Sequence, residues 1–168
     1  GAMKRRGAAD WRQIRLVREQ VKVPVIGNGD VQCLEDVYAM SEISGCDAVM
    51  VGRALAARPW LLWQLGERLG FPPPKDFSGK APQTPEEEGA EFGRAAGFFL
   101  NLLEEYFGFE EGHKRFKFYL RMTGGWLEFG HHLFAVSSKA KNYAEVREAL
   151  THFFQAPQTM SLRTHLRE

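Results

Sequence analysis

Two short stretches that contain glycine carry the residues best suited to binding a ligand. Residues 27–30 read Gly-Asn-Gly-Asp, and residues 52–53 read Gly-Arg. Glycine lets a ligand approach the main chain closely, while Asn28 and Asp30 put polar atoms into the same turn. Arg53 adds a permanent cation with a fork of donors. Because phosphates are held by main-chain N–H groups and fixed cations, the two stretches together predict a phosphate site.

Each glycine stretch follows an apolar run that is typical of a β-strand. Val23, Val25 and Ile26 precede the first stretch, and residues 48–51 precede the second. Such near-continuous apolar runs, rich in β-branched residues, indicate parallel strands that are covered on both faces. Residues 34–43 have apolar side chains at roughly helical spacing, so the pattern predicts a strand–helix–strand unit with a right-handed crossover. The alternative is a pair of tight turns in which glycine serves backbone geometry alone.

Beyond these turns, the chain resembles the tRNA-dihydrouridine synthases through a combination of four short stretches. They are Gly7-Ala8-Ala9-Asp10-Trp11, residues 23–30, residues 45–54 and Arg58-Pro59-Trp60. The resemblance is strong over residues 5–65 and continues more loosely through the C-terminal helices. It implies an α/β plus all-α fold, in which a partial (β/α) TIM-barrel remnant of two parallel strands with helices precedes a small helical bundle.

The resemblance also implies a cofactor, a reductant and a substrate. Members of that family reduce uridine to dihydrouridine in tRNA, with FMN as the flavin and NADPH as the reductant. Carried over to this chain, the cofactor-binding residues on the phosphate side of FMN are Asn28, Gly29, Asp30, Gly52 and Arg53. The family's catalytic cysteine lies in a Gly-Cys-Pro-like loop upstream of this region, and neither Cys33 nor Cys46 has that setting. We therefore expect no catalytic residue here and no activity from this chain alone.

The length bounds how much of such an enzyme can be present. A TIM barrel needs roughly 250 residues, whereas this chain has 168. We therefore expect the C-terminal part of a larger enzyme, with only the last two βα units of its barrel. Those units would expose apolar strand edges and faces. We expect them to associate with another copy, to exchange elements or to fold differently from the parent barrel.

The composition excludes several classes of protein. With 44% hydrophobic and 26% charged residues, the chain is typical of globular proteins. It lacks the apolar run of about 18 residues that a membrane span needs. Two cysteines make neither a disulfide framework nor a zinc site, and His131-His132 lacks partners at ligand spacing, so we expect no metal. The N-terminal residues do not read as a secretion signal, and we expect a cytoplasmic protein.

Shifts in composition divide the chain into four predicted segments. Residues 1–70 hold the βα units, and residues 71–85 form a proline-rich linker. Residues 86–155 form a helical bundle that binds RNA, and residues 156–168 form a tail. The change from βα units to helices predicts two domains with separate roles.

The helical segment carries start signals and apolar stripes. Thr84 predicts a helix cap, and the acidic run 86–88 then meets the positive end of the helix dipole. We interpret that run as structural rather than catalytic. We expect broken helix over residues 126–135 and a final helix capped by Ser137 or Ser138. The buried stripe of that final helix is predicted to consist of Tyr143, Val146, Leu150 and Phe153.

Positive charge is concentrated in one part of the helical segment. Residues 113–147 carry seven basic residues against two glutamates, which is a net charge of +5 in a chain of net charge +1. A phosphate backbone attracts that sign of charge, so the pattern predicts an RNA-binding surface. The predicted RNA-binding residues are Lys114, Arg115, Lys117, Arg121, Lys139 and Lys141. The alternative is plain solvation of helix faces, and His113 could contact a phosphate or lie on the surface.

Three functions are compatible with these patterns. The first is the C-terminal part of an FMN-dependent tRNA-dihydrouridine synthase, with tRNA as the partner. The second is a stand-alone RNA-binding helical module with a vestigial barrel remnant. The third is part of another phosphate-binding enzyme, such as a different FMN oxidoreductase. A salt-dependent shift of tRNA without flavin uptake would favour the second, and FMN uptake without RNA affinity would favour the third.

Overall fold

The elements of the computed structural model mix helix and strand in the first half and are helical in the second. The structure describes residues 8–75 and 77–165. Within these residues the elements are α1 (Arg12–Gln20), β1 (Ile26–Asn28), α2 (Leu34–Ser44), β2 (Ala48–Met50), α3 (Arg53–Ala57), α4 (Leu61–Arg68), α5 (Pro85–Tyr106), α6 (Phe109–Thr123), α7 (Gly130–Ser137) and α8 (Tyr143–Phe153). Of the features discussed above, Gly7 and residues 166–168 of the predicted tail lie outside the described residues.

The predicted strand–helix–strand unit is present and holds two parallel strands. In the register of β1 and β2, Asn28 lies opposite Met50. The connecting helix α2 begins after Cys33 and ends before Gly45, whose φ of 63° is the left-handed conformation that closes many helices. Because the strands are parallel, the loops that follow β1 and β2 leave the sheet at the same edge.

One face of this small sheet is open. Gly27 points inward, where an added Cβ would lie 2.8 Å from Cys46 Sγ and 3.0 Å from Met40 Sδ. Ile26 is 65% exposed and Met50 is 49% exposed. The prediction that both faces of the strands are covered is wrong, because α2 packs against one face and these apolar side chains meet solvent on the other. The exposure of apolar strand faces that we expect of two βα units is confirmed.

The long helix α5 begins at the predicted cap. The Thr84 hydroxyl accepts a hydrogen bond from the main-chain N–H of Glu87 at 3.2 Å, and the Glu87 carboxylate accepts one from the main-chain N–H of Thr84 at 3.0 Å. This reciprocal pair is a capping box, with Pro85 in the first turn. The predicted helix start is confirmed.

A continuous apolar core joins the helical bundle to the end of the βα part. It includes Trp60 and Trp63 beside the buried faces of the bundle helices. The predicted stripe of α8 is buried, with Val146 fully enclosed. From the other bundle helices, the fully enclosed apolar side chains include Phe92, Leu100, Phe116 and Leu133. Apolar burial of this kind is the main stabilising contribution to such a bundle.

The structure corrects two predictions about the last two helices. Residues 130–137 form the regular helix α7, where broken helix was expected. Ser138 is at the end of α7 and donates to the Phe134 carbonyl at 2.6 Å, so it does not cap α8. Asn142 does, because its side-chain oxygen accepts from the main-chain N–H of Glu145 at 2.9 Å. Asparagine is among the best capping residues, and it lies directly before the first turn of α8.

The end of the chain packs against both parts of the molecule. We call residues 157–165 the C-terminal segment. Its Met160 forms an antiparallel bridge with Leu127, and the Ser161 N–H donates to the Trp126 carbonyl at 2.7 Å. Arg163 Nη2 donates a hydrogen bond to Asp36 Oδ1 at 2.7 Å. The described part of the predicted tail therefore connects α2 to the bundle, and the division of the chain into domains stays a prediction.

None of the helices in the described ranges is long and apolar enough to cross a membrane.

Candidate functional site

The loops after β1 and β2 meet at one edge of the sheet, as their sequence predicts. Arg53 Nη2, at the start of α3, lies 3.7 Å from Asp30 Oδ1, in the loop after β1. The guanidinium remains partly exposed, whereas the carboxylate is mostly covered. The structure therefore brings a cation, a carboxylate and the two glycine turns together at this edge.

The loop after β1 is held in an unusual backbone conformation. Gly29 has φ 139°, and Asp30 has φ 52° although it carries a side chain. Trp11 Nε1 donates to the Gly29 carbonyl at 2.8 Å, and the Ala9 N–H donates to Asp30 Oδ2 at 2.8 Å. A Cβ at Gly29 would lie 2.7 Å from Ala9 Cβ, so this position needs glycine for space as well as for its φ. The segment before α1 therefore fixes the shape of the glycine loop.

The loop after β2 has a different character because it is open. Gly52 is exposed, and apart from its chain neighbours no atom of the described residues lies within 4 Å of the position that its Cβ would take. Arg53 follows at the start of α3, and Asn28 is exposed at the end of the neighbouring strand. An anionic group that approaches this edge would meet an accessible main chain, a guanidinium and a side-chain amide. These are the groups that bind phosphate.

A second region with functional potential is a groove along α6. Its volume is about 990 Å³. Four of the six predicted RNA-binding residues line it: Lys114, Arg115, Lys117 and Arg121. The groove extends to Ala56 on α3, which packs directly against α6. Ala56 is one helical turn from Arg53, so the basic groove and the open phosphate edge are connected through α3.

The walls of this groove are aromatic as well as basic. Arg115 pairs with Glu111 at 2.9 Å, and its guanidinium carbon lies 4.6 Å from the ring centre of Phe107. Arg121 lies 5.3 Å from the ring centre of Phe134. Burial raises the pKa of Tyr119 to about 12, so its hydroxyl stays neutral. The groove thus combines cations with rings, which is the composition of many nucleic-acid interfaces.

The remaining two predicted RNA-binding residues lie outside the groove. Lys139 and Lys141 are exposed in the turn between α7 and α8. Lys139 follows Ser138, which lines the groove, whereas the main-chain N–H of Lys141 donates to the Glu145 carboxylate in the first turn of α8 at 2.8 Å. The six residues therefore form one cluster of four and a separate pair.

His113 of the helical part lies in the interior of the bundle. His113 is buried, so the expectation that it contacts phosphate or lies on the surface is wrong. Its Nε2 lies 2.8 Å from the Ser137 carbonyl, and its ring stacks on Phe109 at 4.8 Å between centres. A histidine inside this core joins α6 to α7. In the described ranges, no cluster of three or more His, Cys, Asp or Glu side chains could hold a metal ion.

Local sequence patterns do not reveal a buried ionic network that the structure contains. Arg58 is 1% exposed, and its Nε donates to Glu88 Oε2 at 3.0 Å. Glu88 Oε1 accepts from Trp60 Nε1 and Gln64 Nε2, both at 3.1 Å. Arg58 also donates to the carbonyl of Ser161 in the C-terminal segment. Glu88 was interpreted only as part of a helix start, and the Arg-Pro-Trp stretch only as a resemblance, because no local pattern pairs residues thirty positions apart.

Both cysteines are free and buried. Burial raises the pKa of the Cys33 thiol to about 11, so the thiol remains protonated at neutral pH. Thiolate is the nucleophilic form of cysteine, and this environment suppresses it. Cys33 therefore has a structural position at the start of α2.

Comparison with known proteins gives a consistent result. A family model described as Dihydrouridine synthase (Dus) matches residues 2–166. The probable tRNA-dihydrouridine synthase of Mycobacterium leprae (strain TN) is 38% identical over 109 residues, which are 63% of this chain and 26% of that protein. The probable tRNA-dihydrouridine synthase of Rhizobium leguminosarum bv. phaseoli is 52% identical over 54 residues, 32% of this chain and 17% of that protein. The tRNA-dihydrouridine(16) synthase of Neisseria meningitidis serogroup B is 43% identical over 68 residues, 40% of this chain and 20% of that protein.

These matches identify the family and show how much of its relatives' length this chain covers. The chain spans about a quarter or less of the length of these curated relatives. The family match covers the βα part and the helical bundle together, so the alternative of a different class of phosphate-binding enzyme is wrong. This chain belongs to the dihydrouridine synthase family.

Proposed function

We propose that this chain supplies the flavin phosphate loops and an RNA-binding surface to an enzyme that reduces uridine to dihydrouridine in tRNA. One observation carries the proposal: the loops after the two parallel strands meet, with Arg53 Nη2 3.7 Å from Asp30 Oδ1. Relatives named tRNA-dihydrouridine synthase support the activity. Because the chain spans only a fraction of their length, the activity belongs to a larger protein that contains the remaining units of a TIM barrel.

The residues at the sheet edge fit the phosphate arm of FMN. Gly52 leaves its main chain open on the side where a Cβ would otherwise project. Arg53 would pair with the phosphate, while Asn28 and Asp30 would hydrogen-bond to the ribityl hydroxyls. Gly29 keeps the loop in the conformation that presents Asp30. When bound, FMN would supply hydride transfer from NADPH to the uridine ring, and the residues of this chain would hold and orient it.

The groove along α6 fits the backbone of tRNA. Lys114, Arg115, Lys117 and Arg121 contribute four cations to its lining, and Glu111 is the carboxylate among the described residues that line it. Phosphate contacts by such cations supply affinity and make it dependent on salt. The groove reaches α3, so RNA bound there would lie beside the candidate flavin loops.

The first experiment extends the reading frame and tests the activity of the resulting protein. We expect further βα units and a Gly-Cys-Pro-like loop upstream of this chain. The purified longer protein should retain FMN and, with NADPH, should convert uridine to dihydrouridine in an unmodified tRNA transcript, as measured by nucleoside mass spectrometry. Absence of both bound flavin and dihydrouridine from a folded longer protein would contradict the proposal.

The second candidate function is a stand-alone RNA-binding module. The observation in its favour is that residues of this chain form the lining of the groove, whereas in the described part of the chain the candidate flavin site has loops from two strands. A tRNA mobility shift with the 168-residue chain, together with no quenching of FMN fluorescence, would support this function for the chain by itself. Flavin quenching at micromolar concentrations would favour the first function.

A further inference from the structure

The groove along α6 contains an exposed aromatic residue among its cations. Phe118 is 66% exposed and lies four residues after Lys114 and one after Lys117. Arg121 follows at the next turn, so these side chains share one stripe of α6. A single exposed apolar residue is ordinary on a protein surface. Phe118 differs because Met122 and Phe107 line the same groove and add to its apolar surface.

The charges around Phe118 are predominantly positive. Among the described residues that line the groove, the one carboxylate is Glu111, and it is already paired with Arg115 at 2.9 Å. Within the described ranges, no carboxylate lies within 4 Å of the Lys114 or Lys117 ammonium group. These lysines can therefore pair with an external anion without first giving up an internal partner.

We propose that Phe118 is a stacking platform for an unpaired base of RNA, while Lys114 and Lys117 bind the phosphates on either side of that base. The inference depends on the proposed RNA partner and goes further, because it specifies unpaired nucleotides. Aromatic side chains bind bases through their π-faces, which are accessible only when the base is unstacked. In a continuous duplex these faces are covered, and only the phosphates remain available to the cations.

An acidic peptide is a less suitable occupant of this stripe. It would pair with the lysines, but it would leave the exposed ring of Phe118 without a stacking partner. A nucleotide matches both components, because each residue of RNA carries one planar base and one phosphate. The groove also continues to Ala56 on α3, so an unpaired base held here lies near the candidate flavin loops.

The test compares RNA forms and two matched aromatic variants of this chain. Fluorescence anisotropy would measure binding of an RNA hairpin with an unpaired loop and of a blunt RNA duplex with the same number of phosphates. The variants are Phe118→Ala and Phe98→Ala, because Phe98 lies on α5, is 60% exposed and is outside the groove. Both positions are exposed, so both variants should fold, and circular dichroism would check this.

We expect Phe118→Ala to weaken hairpin binding by about 10-fold, in the range of stacking losses per base, and to leave duplex binding within about 2-fold. Phe98→Ala should leave hairpin binding and duplex binding unchanged, and Phe118→Trp should retain hairpin binding. The double variant Lys114→Gln/Lys117→Gln should bind both the hairpin and the duplex more weakly, and its binding should depend less on salt.

Each contrary outcome has a separate meaning. Equal losses for hairpin and duplex, or equal effects of Phe118→Ala and Phe98→Ala, would overturn the stacking platform and leave the RNA interface standing. No binding of either RNA at low salt would overturn the platform and the proposed RNA partner together. Binding of a poly-glutamate peptide that outcompetes the hairpin and depends equally on Phe118 would overturn the platform in favour of a protein partner.

Discussion

The βα part and the helical bundle bury their apolar residues to very different extents. In the bundle, Leu100 and Phe116 are fully enclosed, whereas Ile26 of β1 and Leu16 of α1 are largely exposed. Both parts have regular apolar patterns, so the patterns do not explain the difference. The bundle completes its own core within this chain, while the βα part has an open sheet face. In the proposed parent enzyme, further barrel units would cover that face.

The two parts also serve the proposed function differently. The βα part contributes main-chain shape and a few polar groups at one sheet edge, whereas the bundle contributes a charged and aromatic surface. Between them lies the network of Arg58 and Glu88, to which the C-terminal segment adds the Ser161 carbonyl. The following predictions test this comparison, from the largest expected effect to the smallest.

Removing one member of the buried ionic network should cause the largest loss in the free energy of unfolding. Arg58→Ala would leave the Glu88 carboxylate buried without its cation, and we expect a loss of about 3–5 kcal/mol in the free energy of unfolding. The matched control is Arg94→Ala, since Arg94 forms a more exposed pair with Glu91 on α5 and should cost at most about 1 kcal/mol. Urea denaturation would measure both. Similar losses for the two variants would show that Arg58 does not join the two parts.

Leucine truncations should separate the closed core from the open part. Leu100→Ala opens a cavity in the bundle and should cost about 2–5 kcal/mol in unfolding free energy. Leu16→Ala, at a position 56% exposed on α1, should change it by no more than about 0.5 kcal/mol. Urea denaturation of the two variants of this chain would measure both free-energy changes. A large loss from Leu16→Ala would mean that α1 is covered in solution, as self-association of the βα part would produce.

Arg53 should matter for flavin binding rather than for folding. In the longer protein that we propose, Arg53→Ala removes a charge-assisted hydrogen bond of about 1.5–3 kcal/mol, so the Kd for FMN should rise roughly 10-fold to 150-fold. The melting temperature of the flavin-free protein should change little. Arg68→Ala provides a control, because Arg68 pairs with Glu35 and belongs to neither glycine loop. Unchanged FMN affinity in Arg53→Ala would remove Arg53 from the phosphate site.

Acid should weaken the attachment of the C-terminal segment by a small amount. Burial by itself would raise the pKa of Asp36, but hydrogen bonds from Arg163 and the Gln32 main chain bring that pKa below its ordinary value. The stabilising contribution is therefore present above the unfolded pKa of about 3.9 and is lost as the pH falls through the lower folded pKa. Because Arg163 is half exposed, we expect Arg163→Ala to cost about 1 kcal/mol at pH 7.

Unfolding free energies between pH 7 and pH 3 would check this. The difference between the Arg163→Ala variant and the original chain should shrink at the acidic end. Arg12→Ala, at the exposed pair with Asp10, serves as the comparison. A difference for Arg163→Ala that does not vary with pH would exclude Asp36 as its partner.

Local sequence patterns predicted much of the fold and the outline of the site. The strand–helix–strand unit, the Thr84 cap and the buried stripe of α8 follow from short-range periodicity and capping chemistry. Parallel pairing of two such strands then brings Gly29 and Gly52 to the same edge. Patterns were less informative where helix boundaries depend on packing. α7 begins after a turn at Phe129, and a Cβ on Gly130 would lie 2.2 Å from the Gly124 carbonyl oxygen, so close contact between two glycines shapes that turn.

The sequence by itself determined the order of elements, their caps and the sign of the charge on the helical part, because these depend on neighbouring residues. Only the tertiary structure decided that Glu88 faces Arg58, that His113 is buried and that Phe118 lies exposed between cations. Each of these outcomes depends on which helix faces meet. That choice is made by the packing of distant segments, and no short stretch of the chain contains it.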